Sequence, residues 1–230
     1  MDVLPGPPLA EMARTAVTRA RVAAVTCCDR EERTPVMTKV GLRANSAGEP
    51  ILLLASESAI AQRIASRPLV TVSVAAAPSF ATLALTGAAQ PGWKVGKSGS
   101  IACRVILRSL QFTGPTPAPV SLAQYQAAEP DPLWREAPLV LGHLEHEHMA
   151  ELVSCVQAHG IHQAQWVLPR GLDRFGLELA VLTPDGAATV RLSFPDGPVT
   201  SLDEIPASLR AVLTCRCRAS RPDPGKNVGT

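Results

Sequence analysis

The sequence predicts an α+β chain in two parts: a small β-sandwich or barrel entered through a helix, then a compact αβββα unit. Three observations predict it. Several short apolar or alternating runs, separated by Gly, Pro and Asn turns, fill the first ~115 residues. A Pro-rich stretch then interrupts the pattern. Beyond it come one helical pattern, three strand-like runs and a second helical pattern.

The elements follow in order. Residues 10–20 have helical spacing, with Leu9, Met12, Ala16 and Val17 on one face and Glu11 in the first turn. Residues 21–28 form a β-type run, and residues 29–34 a charged turn. Residues 35–44 alternate: Val36, Thr38, Val40 and Leu42 face one way, Met37, Lys39, Gly41 and Arg43 the other. Residues 45–48 (NSAG) are a hairpin signal before the short strand 51–54. Residues 56–66 return to helical spacing, capped by Ser56 or Ser58 and ended by Arg67-Pro68. Strands follow at 69–76, 80–88 and 101–112.

Residues 114–138 contain six of the 21 prolines, which predicts a linker over 115–137 between a first domain (8–114) and a second (138–220). In the second, a helix spans 138–158 and ends at Gly160. Strands cover 163–169, 175–182 and 187–194. A closing helix spans 201–218, with Ser201 and Glu204 spaced as a capping box. Residues 221–230 read as a disordered tail.

Composition narrows the function. The net charge is +2 and aromatics are 3%, which argues against a basic, base-stacking nucleic-acid binder. No run approaches the ~20 apolar residues of a membrane helix, and no secretory signal opens the chain. Six cysteines without a C-x-x-C pair then read as reduced, mostly buried thiols of a cytoplasmic protein. Cys215-x-Cys217 is too closely spaced for one helical face and reads as structural.

All five histidines lie between His143 and His162. On a wheel of ~100° per residue, Leu141, Leu144, His148, Leu152, Cys155 and His159 form one inward stripe, while His143 and His146 point elsewhere among Glu145 and Glu147. His148 and His159 are therefore either half-buried core histidines or ligands facing a cleft at the domain boundary. The H-E-x-x-H zinc motif fails, because His146-Glu147 is followed by His148-Met149-Ala150. Glu145-x-x-His148 matches half of a di-iron motif without its second copy, so no dedicated metal site is expected. Nucleotide-binding glycine motifs and the G-x-S-x-G elbow are absent. The Gly- and Lys-rich stretch 92–99 reads as a hairpin loop. Lys39 and Arg43 are either anion-binding cations on a barrel or the wet side of a strand.

The second half resembles a known family. His143-Leu-Glu-His-Glu-His148, Asp173-Arg-Phe-Gly176-Leu-Glu-Leu179, Val190-Arg-Leu-Ser-Phe194-Pro195, Leu209-Arg210 and Arg218-Ala219 occur in the order found in the C-terminal domain of haem-utilisation proteins of the HugZ/HutZ type. That domain follows a flavin-binding, pyridoxamine 5'-phosphate oxidase-like split β-barrel. The first half is similar in layout, and the resemblance covers about residues 10–220. It implies an N-terminal split β-barrel followed by the small αβββα domain, a homodimer with pockets between barrels, and haem as ligand, with oxidative haem degradation in some members. Relatives of the barrel bind FMN or a deazaflavin. The candidate cofactor-binding set is then His148, His143, His159, Lys39, Arg43 and Arg191, the last from the Val190–Pro195 motif. The sequence departs from the family in three places. Residues 60–64 (IAQRI) replace a His-Thr-x-Asn segment, Glu145 and Glu147 replace an Asn and an Asp, and the tail has no His. An axial ligand would have to come from His148, His143 or His159. Three functions remain open: haem binding or degradation, a flavin-type oxidoreductase using the barrel, and a non-catalytic dimeric module.

Overall fold

The structure is a computed structural model of the chain and describes residues 6–27, 36–76, 82–90, 92–95, 99–114 and 117–215. The turn expected at 29–34, Cys28, Cys217 and the tail lie outside these residues. Two compact units are present: Pro8–Asp131, and a second that joins the described residues before Pro8 to those from Pro132 onward.

The first unit contains, in order, α1 (Leu9–Arg19), β1 (Val22–Cys27), β2 (Val36–Ala44), β3 (Pro50–Ala55), α2 (Ala59–Ser66), β4 (Leu69–Ala75), β5 (Thr82–Ala89), β6 (Trp93–Val95), β7 (Ser100–Thr113), β8 (Ala118–Val120) and α3 (Leu122–Ala127). Six antiparallel strands run β3-β2-β1-β4-β5-β7, and β7 pairs back onto β3, so the barrel closes. Closure depends on the length of β7: residues 105–113 pair with β5 and residues 100–104 with β3. Gly87 lies opposite a bulge in β7, where Arg108 is the extra residue, and a Cβ there would lie 2.3 Å from the Ile106 carbonyl oxygen. Alternation fills the interior with Val25, Leu42, Leu52, Val72, Leu83, Leu85 and Val105. On β2, Val40 and Leu42 point in while Lys39 and Arg43 point out, as the alternation predicts. Ser58 caps α2, its Oγ accepting from the Ala61 N–H at 3.4 Å.

Three details differ from expectation. The stripe of α1 is rotated: Ala10, Ala13, Ala16 and Val17 are buried, and Leu9 is exposed. Glu11 and Arg14 are drawn in with that face. Second, the Gly-rich stretch contributes β6, which pairs with β7. Third, much of the segment expected to be a linker belongs to the barrel unit. β8 pairs with β7, with Pro119 opposite Gln111 on a short outer strand where its missing N–H is tolerated. Tyr125 of α3 is buried and donates its hydroxyl proton to the Gly48 carbonyl at 2.6 Å. Arg14 donates to the Ala128 carbonyl (2.9 Å) and the Ser46 carbonyl (3.0 Å), and the Asp131 N–H donates to Thr15 Oγ1 (2.7 Å).

The second unit contains α4 (Ala137–Glu147), α5 (Met149–Ala158), the antiparallel meander β9 (Trp166–Asp173), β10 (Gly176–Thr183) and β11 (Gly186–Ser193), and α6 (Ile205–Cys215), which a 3-10 turn at Leu202–Glu204 precedes. Its core joins Leu144, Leu152, Cys155 and Val156 to Val167, Leu177, Leu179, Val181, Leu192 and Phe194 of the sheet. The expected single helix over 138–158 is two helices. His148 has φ −127 and ψ 21, which ends α4 and starts α5. The expected capping box forms in altered form: Glu204 accepts from the Thr200 N–H (3.1 Å) and from the Thr200 and Ser201 hydroxyls. These bonds hold the Glu204 carboxyl below its ordinary value.

Candidate functional site

The break at His148 builds the site. With no Gly or Pro nearby, α4 still closes its last bond from the His148 N–H to the Leu144 carbonyl (3.1 Å), and α5 opens with the Leu152 N–H on the His148 carbonyl (3.0 Å). The turn at residue 148 changes the wheel that separates His143 from His148. Their rings now touch edge-on, with centroids 5.1 Å apart and planes at 75°. His148 Nδ1 lies 3.7 Å from Glu151 Oε1, an ion pair when the imidazole is protonated.

Both histidines line a groove of about 620 Å³ between α4 and α6. Leu139, Val140 and Leu144 form one wall; Leu202, Ile205, Pro206, Leu209 and Leu213 form the other. Arg210 is the cation of the lining. The groove therefore presents an apolar body with two imidazoles and one guanidinium, and its volume suits a sizeable small molecule. Leu139, at the lip, is 77% exposed.

The remaining candidates are placed elsewhere. His159 ends α5, with Nδ1 2.8 Å from the Cys155 carbonyl and 3.7 Å from the Cys155 thiol, and is no part of the groove lining. The inward stripe was right for burial, but His159 is satisfied locally. Arg191, on β11, donates to Asp173 Oδ1 at 2.6 Å with its Nε buried. Burial pushes the neighbouring Glu178 carboxyl up, against the pull of the Arg191 charge. Lys39 and Arg43 are exposed on β2 of the barrel unit, and neither lines the groove. His146 is exposed, its Nδ1 2.6 Å from the Gly142 carbonyl. The groove is built from residues of the second unit alone. Among the described residues, no group of three or more His, Cys, Asp or Glu is placed to hold a bare metal ion, and no helix is long and apolar enough to cross a membrane.

The α6 wall and Arg210 were missed as site residues by the sequence reading. The usable signal was the apolar spacing Leu202, Ile205, Leu209, Leu213, which gives the closing helix an apolar stripe broad enough to face both a core and a groove.

Against solved structures, the chain is similar to a heme binding protein from Mycobacterium smegmatis, with 21% identity, a TM-score of 0.62, and coverage of 94% of this chain and 100% of that one. The architecture is a split β-barrel followed by a small α+β unit, in which two consecutive helices stand where one was expected before the three strands and the closing helix. Lesser overlaps include Atu2129 from Agrobacterium tumefaciens (17% identity, TM-score 0.44, covering 92% and 100%) and a putative pyridoxamine 5'-phosphate oxidase from Listeria innocua (13% identity, TM-score 0.38, covering 46% and 98%). No family model and no curated protein matches the chain.

Proposed function

We propose that the protein binds haem in the groove between α4 and α6, with His148 as the iron ligand. The observation that carries this is the meeting of His143 and His148 in an otherwise apolar groove. The donor set fits: imidazole is a common haem ligand, an apolar wall suits the macrocycle, and Arg210 suits an anionic propionate. The two rings touch, so no planar ring fits between them, and they cannot ligate opposite faces of one iron. His148 is the better ligand of the two. Its Nδ1 faces Glu151, an arrangement that fixes the ring and leaves Nε2 for the metal. His143 then orients the ligand ring by edge contact. Bound haem would supply an iron centre; the chain's own residues bind it, orient it and shield it from water. The heme binding protein among its structural neighbours is consistent with this reading.

The flavin reading has less support, because it relies on Lys39 and Arg43, which stand exposed on the barrel. The test is a hemin titration of the full chain, followed at the Soret band. A saturable red shift at one hemin per chain is expected. No shift, or the same shift with denatured chain, refutes the proposal.

A further inference from the structure

The three-stranded sheet of the second unit has two unlike edges. β9 carries Pro169 near its middle, and both α4 and α5 lie against it. Along β11, by contrast, Gly186, Ala187, Ala188 and Thr189 are exposed, the register with β10 is unbroken, and the strand contains neither Lys nor Pro. Open sheet edges are normally guarded by charge, proline, a bulge or cover. Among the described residues, β11 has none of these over its first four residues, and Gly6 lies beside Arg191 further along.

The hairpin fixes what this edge offers. Thr183 pairs with Gly186 around the two-residue turn Pro184-Asp185, so alternate pairs from there exchange hydrogen bonds. The N–H and C=O groups of Ala187, Thr189 and Arg191 therefore point away from β10. Their side chains share the outer sheet face. Across that face run the row Trp166, Leu182, Ala187 and the row Leu168, Ala180, Thr189. Trp166 is 56% exposed and Leu182 51%.

We infer that β11 is an interface: it pairs antiparallel with β11 of a second copy of this chain, about a two-fold axis at Ala188. Charge selects that register. It sets Ala187 opposite Thr189 and brings the turn residue Asp185, just before the strand, level with Arg191, and symmetry makes each approach occur twice. Moving the axis to Thr189 sets Arg191 opposite Ala187; moving it to Ala187 sets Asp185 opposite Thr189. Axes between residues put outward groups opposite inward ones. Only the Ala188 register joins opposite charges across the strands. Arg191 can serve both acids, since its guanidinium has five donors and Asp173 takes one. The same register makes the two apolar rows continuous over six strands. This contact is separate from the barrel–barrel dimer that the family resemblance implies, and it does not depend on haem. A lone strand pair buries little surface, so the association is weak and concentration-dependent.

The test uses the full chain. Amide exchange at Ala187 and Thr189 is measured over a range of protein concentrations, and mass is measured by sedimentation. Protection that grows with concentration is expected. Thr189→Pro removes an outward N–H and leaves the β10 ladder intact, so the mass at high concentration should halve. Asp185→Arg, in the exposed turn, should weaken association about tenfold while the fold stays intact, and serves if the proline variant does not fold. Fast exchange at every concentration overturns the inference, and is also the result expected if the edge's occupant is a segment of another protein. An unchanged mass in a folded Thr189→Pro variant overturns it as well.

Discussion

His143 and His148 meet edge-on, 5.1 Å between ring centroids, because α4 ends at residue 148 and not where an unbroken helix would carry the chain. Five residues apart on one helix, the two side chains would diverge. The break turns a helix surface into the mouth of a groove, and the apolar wall of α6 supplies the other side.

The groove's lip and wall should respond differently to substitution. Leu139 is exposed, so Leu139→Asp should change stability by no more than ~0.5 kcal/mol. The same change puts a carboxylate at the mouth and should weaken hemin binding several-fold. Leu209 is buried in the wall, and Leu209→Ala should cost ~2–5 kcal/mol. Denaturant unfolding and hemin titration of each variant separate the two effects.

Tyr125 is the chain's one tyrosine, so tyrosinate absorbance reports on it alone. Burial pushes its hydroxyl up to about 12, partly offset by the Arg14 charge. The native state then holds the proton where the unfolded chain, near ~10, releases it. Stability should fall as pH rises from the unfolded value toward the folded one. Tyr125→Phe leaves the Gly48 carbonyl without its partner and should cost ~1–3 kcal/mol. A tyrosinate midpoint near the unfolded value in the native protein would contradict the buried contact.

Gly48 should tolerate no side chain. Its φ is +77, and a Cβ would fall 1.2 Å from Arg14 Nη1. Gly48→Ala should destabilise by more than ~1 kcal/mol, from backbone strain and from expulsion of the Arg14 guanidinium. Thermal unfolding beside wild type checks this.

How much of this was legible depended on whether chain-local pattern decided the structure. β2 shows the favourable case: a strand with one face in a barrel must alternate, and Val40 and Leu42 against Lys39 and Arg43 do so. Ser58 likewise acts within a few residues of itself. Residues 118–131 show the opposite. Their prolines suggest a linker, yet Tyr125 and Asp131 are fixed by partners 77 and 116 residues away. A buried single tyrosine behind the helix cap Ser121 was the available clue. The break at His148 has no local signature at all. Leu144 before it and Leu152 after it are both buried in the core that the sheet shares. For that reason the helical wheel groups His148 with His159, which does not line the groove, and sets His143, which does, on another face.

Glu178 offers a pH test of the sheet. Burial raises its carboxyl above the ordinary value of 4.5, so the native state binds more protons than the unfolded chain just above that pH. Stability should therefore be highest below 4.5 for this group and fall as pH rises through its folded value. Glu178→Gln should remove that slope. Parallel stability–pH curves for the two proteins would contradict the assignment.

The most direct measurement is the Soret spectrum of the hemin-loaded chain beside His148→Ala, His143→Ala and His159→Ala. Ligation by His148 predicts that His148→Ala loses the histidine-ligated band, that His143→Ala keeps it with a several-fold weaker affinity, and that His159→Ala matches wild type. A wild-type spectrum that survives in the folded His148→Ala variant would contradict the proposed site.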